Sequence, residues 1–297
     1  MGKASRAKNS RQQKIGKIKV KQPKDRFGLF IGAFVALIAI IITGTIVYFN
    51  VNESKQTDAT ASTVTPNGVV NDGFVINNAG IVKSDPYKID TELTASEYSS
   101  DKNNVSLYID YACPHCADFE EANIGQLETW LDDGTIDTVT IHPLAFLTQY
   151  SLDAANAFSC VANYEPSRAL DAHEALMENH DQGLNTKQIV KVLSDKGLNM
   201  TEEFTKCIRG SQFENFVLKS TEHAQTGPIP GTEAGTENIT GTPSVFVNGF
   251  RYKNDPADGS IFKLFVESVL SGEYKDLVDS GALDENTSPL PGAEGTS

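Results

Sequence analysis

The stretch from Tyr108 to Ala122, YIDYACPHCADFEEA, joins a strand-like run to a helix-like one through Cys113-Pro114-His115-Cys116. Upstream, Val105 to Tyr111 has the period-two character of a strand buried mainly on one face. Downstream, Cys116 to Leu131 has helical spacing, with Phe119, Ile124, Leu127 and Trp130 near one stripe. Two sulfurs at the start of a helix can be metal ligands, a static staple or an electron-exchanging pair. The remainder of the chain separates these possibilities.

A zinc site needs about four ligands, as two CxxC pairs or one CxxC with spaced histidines. Here the other two cysteines, Cys160 and Cys207, stand alone, and no HxxxH follows. Haem attachment needs CxxCH, but Ala117 follows Cys116. No metal and no other cofactor is therefore expected. A static disulfide across so small a loop stabilises little, because the entropic effect grows with loop length. A reactive pair fits better. The free N–H groups of the first turn and the helix dipole favour a thiolate at Cys113. Pro114 is tolerated there because its missing N–H has no partner to lose. His115, when protonated, adds positive charge. A stabilised thiolate is a good leaving group, so an oxidised Cys113–Cys116 pair is readily attacked by incoming thiolates. Cys116, one turn further in, is shielded and resolves the mixed disulfide.

Outward from this stretch the pattern alternates in kind. Phe74 to Ile76 and Gly80 to Val82 read as a short hairpin, and Ile136 to Ile141 as a strand stopped by Pro143. From about 151 to 225 everything reads helical, including a segment with a capping box at Asn185 and Gln188 and a stop at Gly197. Residues 243–252, PSVFVNGFRY, return to strands around an Asn-Gly turn, and a last helix runs from about Gly259 to Leu270. Strand–helix–strand, a helical block, hairpin and helix make an α/β layer architecture with an all-helical insertion. A CxxC at the start of its first helix fits a thioredoxin-like fold.

The ends are of another composition. Residues 1–26 carry ten Lys or Arg against one acid, and 27–49 is a run of 23 residues without a charge. As a helix that run spans roughly 35 Å, enough for a hydrocarbon core of about 30 Å. The basic flank then stays in the cytoplasm and the chain from residue 50 lies outside. A cleavable signal peptide would have an apolar region of about 7–15 residues, so a retained single-pass anchor in the cell membrane is the expectation. Residues 50–71 read as a flexible tether, 72–275 as the folded domain and 276–297 as a disordered tail. The net charge of −14 includes +9 from the basic tail, which leaves about −23 outside and disfavours nucleic acid as a partner.

Cys-Pro-His-Cys after a strand, the long helical block and Gly241-Thr242-Pro243-Ser244 opening a later strand resemble the DsbA family of disulfide oxidoreductases. With the anchored N-terminus, the chain looks like the membrane-tethered branch found in actinobacteria. The resemblance covers roughly residues 72–272. It implies that Cys113 is the nucleophile, Cys116 the resolving thiol, Pro243 a cis proline facing them, and Thr242 a backbone contact for an extended substrate peptide. The family often carries a buried acid six positions before the first cysteine, where this chain has Leu107. Asp110 either takes over proton transfer or is an ordinary strand-end acid. Cys160 and Cys207 lie in separate insertion helices, and an oxidising compartment favours a structural disulfide between them over two buried thiols. His142, His173, His180 and His223 read as core or surface residues.

The expected activity is oxidation of exported, unfolded proteins with free thiols, followed by recharging from a separate, quinone-linked membrane reoxidant that takes the electrons. An isomerase or reductase of the same fold, and a peptide-binding module without redox chemistry, are the alternatives.

Overall fold

The computed structural model describes residues 64–89, 103–229, 232 and 238–281. The apolar run at 27–49 lies outside them. No helix among the described residues is long and apolar enough to cross a membrane.

The central strand is β4 (Asn104–Asp110), and all seven of its residues are buried. It pairs in parallel with β5 (Thr138–Leu144), Leu107 opposite Ile141, and antiparallel with β6 (Ser244–Val247), Leu107 opposite Val245. Beyond β5 lies β2 (Gly73–Asn77), which also pairs with β1 (Val69–Val70) and β3 (Gly80–Ile81). Beyond β6 lies β7 (Phe250–Tyr252). The expected one-sided burial of β4 is corrected here. Val105, Leu107 and Ile109 join the larger apolar cluster, while Tyr108 joins a second with Leu144, Ala224, Ile229, Ile239 and Phe246. Both faces of the sheet are covered, so the polar positions of the alternation, Asn104, Ser106 and Asp110, are buried as well.

β5 runs through Pro143 instead of stopping before it. Its pairing with β2 ends at Ile141, so the proline sits where there is no ladder to lose on that side. The hairpin at 243–252 forms as expected, with Asn248 (φ +46°) and Gly249 (φ +87°) both in the left-handed region that such a turn demands.

Helix α1 (Pro114–Asp133) joins β4 to β5. The helical block follows: α2 (Gln149–Tyr164), a short 3-10 turn (Pro166–Arg168), α3 (Ala169–Met177), α4 (Thr186–Asp195), α5 (Glu202–Arg209) and α6 (Glu214–Thr226). Asn185 and Gln188 form the expected capping box on α4. Cys160 in α2 and Cys207 in α5 are disulfide-bonded, with a Cα–Cα distance of 6.0 Å. Phe74 of β2 meets Phe158 of α2 and Phe216 of α6 edge-on, which anchors the block to the sheet.

Both domain boundaries move outward from those expected. Val69 and Val70, assigned to the tether, pair with Phe74 and Gly73. After α7 (Gly259–Leu270) comes α8 (Glu273–Asp279), which runs across the expected boundary at 275 into the stretch read as tail. Tyr274 of α8 is buried against Phe250 and Phe265, and this contact holds a helix too short to announce itself by periodicity.

Candidate active site

Cys113 is the N-cap of α1, with extended backbone (φ −87°, ψ 119°), and Pro114 follows in the first turn. An N-cap side chain is placed to accept from the N–H groups two and three residues on, where serine or aspartate is usual. Here a sulfur stands in that position, without a cap hydrogen bond of ordinary geometry. The backbone N–H groups of His115 and Cys116 help to lower the Cys113 pKa from 9.0 to about 5, behind the larger contribution of a hydrogen bond with the Cys116 side chain. Burial opposes the shift, and Thr242 assists it. In the dithiol form the Cys113 thiol donates to the Thr242 carbonyl at 3.3 Å.

Cys116 is 1% exposed against 6% for Cys113, and burial pushes its pKa far up. The two sulfurs of one motif are therefore electrostatic opposites. The outer one is stabilised as an anion and the inner one is held as a thiol. His115 departs from the expectation. Its side chain is 73% exposed and lies 3.3 Å from Asp118, so the help it gives Cys113 comes from its backbone N–H.

The Thr242–Pro243 peptide bond is cis, and the Thr242 carbonyl faces Cys113. A second cis bond, Gly227–Pro228, was not foreseen. No side-chain cluster that could hold a metal ion is present among the described residues.

A family model described as thioredoxin matches residues 99–264, more than half of the chain, and so covers the site and the sheet that carries it. The chain belongs to the thioredoxin family. No curated protein sequence matches it. Among solved structures, BdbD from Bacillus subtilis in its oxidised form is similar at 20% identity and a TM-score of 0.50, over 71% of this chain and 100% of that one. That likeness supports the thioredoxin fold. MdbA, a thiol-disulfide oxidoreductase from Actinomyces oris, is 18% identical over 72% of this chain and 96% of its own, with a TM-score of 0.49. Oxidised DsbA from Mycobacterium tuberculosis is 21% identical over 71% and 98%, with a TM-score of 0.48.

Within this thioredoxin-family site Asp110 closes β4 but does not face solvent. It is fully buried. Its Oδ1 accepts from the Ala112 N–H at 2.8 Å and the Ser151 hydroxyl at 2.6 Å, and its Oδ2 from the N–H groups of Phe146 (2.7 Å) and Leu147 (3.1 Å). Its carbonyl takes the Cys113 N–H at 3.0 Å. Asp110 thus pins the turn that carries Cys113 to the loop after β5 and to the start of α2.

Other buried polar residues in this region escaped the sequence reading. His173 of α3 is fully buried between the Tyr111 hydroxyl and Glu120, each 3.0 Å away. Glu120 is four residues beyond Cys116, on the buried stripe of α1 with Phe119, Asn123 and Leu127. An acid on a mostly apolar stripe was the available signal. Ser151 gave none, because its role depends on a contact with a distant strand.

Proposed function

We propose that this protein is a thiol-disulfide oxidoreductase acting as an oxidase, which donates its Cys113–Cys116 disulfide to exported, unfolded proteins. The observation that carries the reading is the asymmetry of the two sulfurs, with Cys113 stabilised as a thiolate at the head of α1 and Cys116 buried as a thiol. A substrate thiolate attacks Cys113, the less buried sulfur, and the Cys113–Cys116 bond breaks with its electron pair going to Cys116. A second substrate thiolate then attacks the substrate sulfur of the mixed disulfide and expels Cys113. Cys113 leaves easily because its anion is stabilised, which favours the reduced form of the enzyme and so oxidation of the substrate. Thr242 and Pro243 flank the sulfur where an extended substrate chain would lie.

The setting belongs to the same proposal. Residues 27–49 anchor the chain with its N-terminus in the cytoplasm, and the domain works outside, where tethering raises its effective concentration for emerging chains. A separate membrane reoxidant, quinone-linked, removes the electrons.

The direct test mixes oxidised protein with a reduced, unfolded substrate. One substrate disulfide should form per protein, and Cys113→Ser should form none. Failure of stoichiometric oxidation would end the oxidase reading. A dominant dithiol form trapped by alkylation in cells would redirect it to a reductase or isomerase.

A further inference from the structure

The Gly241–Ser244 turn brings the Thr242 carbonyl to Cys113, but its own sequence gives it few means of holding that place. Pro243 has no N–H to donate. Gly241 is exposed, and a Cβ added there would meet nothing within 4 Å, so no packing presses on the turn at that point. Upstream, the chain is fixed to the end of α6. The Ile239 N–H donates to the Ala224 carbonyl at 2.7 Å, and the Asn238 amide to the Gln225 carbonyl at 2.7 Å. Residues 240–243 then cross to β6.

Downstream, the turn is tied by a relay of side chains. The buried Ser244 hydroxyl donates back to the Gly241 carbonyl at 2.8 Å, spanning Thr242 and Pro243. The same oxygen accepts from Nη2 of Arg251 at 3.1 Å. A guanidinium can only donate, so it occupies a lone pair of the hydroxyl and leaves the single hydroxyl proton for Gly241. Its charge polarises the O–H, and bonds in such a chain strengthen one another. The hairpin places Arg251 for this task. Arg251 stands opposite Phe246 in the β6–β7 ladder, and so shares a face with Phe246 and, two residues earlier, with Ser244. Its guanidinium carbon lies over the Phe246 ring, 5.9 Å from the centre and within reach of cation–π attraction. The half-buried side chain is thereby turned back along β6 toward the start of the strand.

We propose that Arg251 is a positioning residue for the substrate chain: acting through the Ser244 hydroxyl, it fixes the Gly241–Ser244 turn in the form in which the Thr242 backbone receives an extended peptide beside Cys113. The relay serves the seat of the peptide and leaves sulfur exchange itself to Cys113 and Cys116. A substrate that lies along Thr242 therefore depends on Arg251, and a thiol too small to reach along it does not. The role rests on the redox reading of the site and on Thr242 as the peptide's backbone contact, and the test keeps these apart from Arg251.

Oxidised full-length protein in detergent is mixed with an excess of a reduced, unstructured peptide bearing two cysteines, or with dithiothreitol. In either reaction the disulfide passes to the added dithiol through a mixed disulfide at Cys113, and the protein is left with two thiols. Acid quenching followed by alkylation gives the rate. Arg251→Met keeps the apolar stem and loses the donors. It should slow the peptide reaction by about tenfold, the worth of one charge-assisted hydrogen bond, and the dithiothreitol reaction by no more than about twofold. Ser244→Ala should do the same. The double variant should lie within about twofold of either single change, because both break one relay. A merely structural loss would slow the two dithiols alike. Should Arg251→Met fold poorly, Ser244→Ala carries the comparison from the other end, since it removes only one oxygen. Peptide rates within about twofold of wild type, equal slowing with both dithiols, or losses that multiply in the double variant overturn the assignment. Failure of wild type to oxidise the peptide would instead sink the oxidase reading of the site.

Discussion

At Cys113 a sulfur stands where a hydroxyl or carboxylate would ordinarily cap a helix, and the hydrogen bond with the Cys116 side chain does most to favour its anion, with the backbone N–H groups assisting. The pKa of about 5 lies below the ordinary 9.0. Alkylation of Cys113 should therefore show half-maximal rate near pH 5, fall about tenfold per unit below it, and be nearly flat above pH 6.5. A midpoint near 8 to 9, read by iodoacetamide trapping of the dithiol protein, would remove the physical basis of the proposed oxidase activity. The sign of the linkage is that of a depressed acid. Ionisation of Cys113 stabilises the reduced fold fully above about pH 9, progressively less as pH falls, and not at all below about pH 5. Asp110 is expected to behave differently. In Asp110→Asn an amide N–H₂ must face groups that already donate, so stability should drop by about 1–3 kcal/mol in urea unfolding, with Cys113 still reactive. The type and position of Cys113 and Cys116 were legible because CxxC at a helix start is a local arrangement. The saturation of Asp110 was not, since three of its four donors come from residues 146, 147 and 151.

At the scale of elements, two kinds of local signal worked and one misled. The Asn185 capping box and the Asn248-Gly249 turn are interactions between near neighbours, so spacing alone announced them. Asn185→Ala should cost about 1 kcal/mol, visible as a lower urea midpoint with the slope unchanged. Pro143 was read as a stop because proline lacks the donor a ladder needs; where the neighbouring strand has already ended, that defect is free. Gly80 shows a constraint of another origin. It has φ +104°, and a Cβ there would meet the Pro166 carbonyl oxygen at 2.3 Å. Gly80→Ala should lower stability by at least about 1–3 kcal/mol, measured by thermal unfolding, because backbone on both sides must move.

Across the whole molecule, the helical block is held to itself by the Cys160–Cys207 bond and to the sheet by the aromatic contacts of Phe74. On the chain-entropy model, closing a loop of this length is worth about 4 kcal/mol. Replacing both cysteines by serine, in a background with Cys113 and Cys116 also replaced, should lower stability by about 2–4 kcal/mol in guanidinium unfolding. The same pair of changes with Cys113 and Cys116 intact should leave the Cys113 alkylation midpoint in place, because the bond lies in the insertion and not in α1. If that midpoint moves by a unit or more, the insertion is part of the redox site and not only its support.

By itself the sequence determined the order of the main strands and helices, the Cys113–Cys116 pair and its place at a helix start. These depend on periodicity and on atoms a few residues apart. Tertiary structure alone decided that β4 is covered on both faces, that α8 closes the domain, that Asp110 is a filled hub and that Glu120 is bonded to His173. Each of those is a matter of which distant groups share a dry space. Burial and hydrogen-bond supply there come from packing, and no spacing along the chain encodes them.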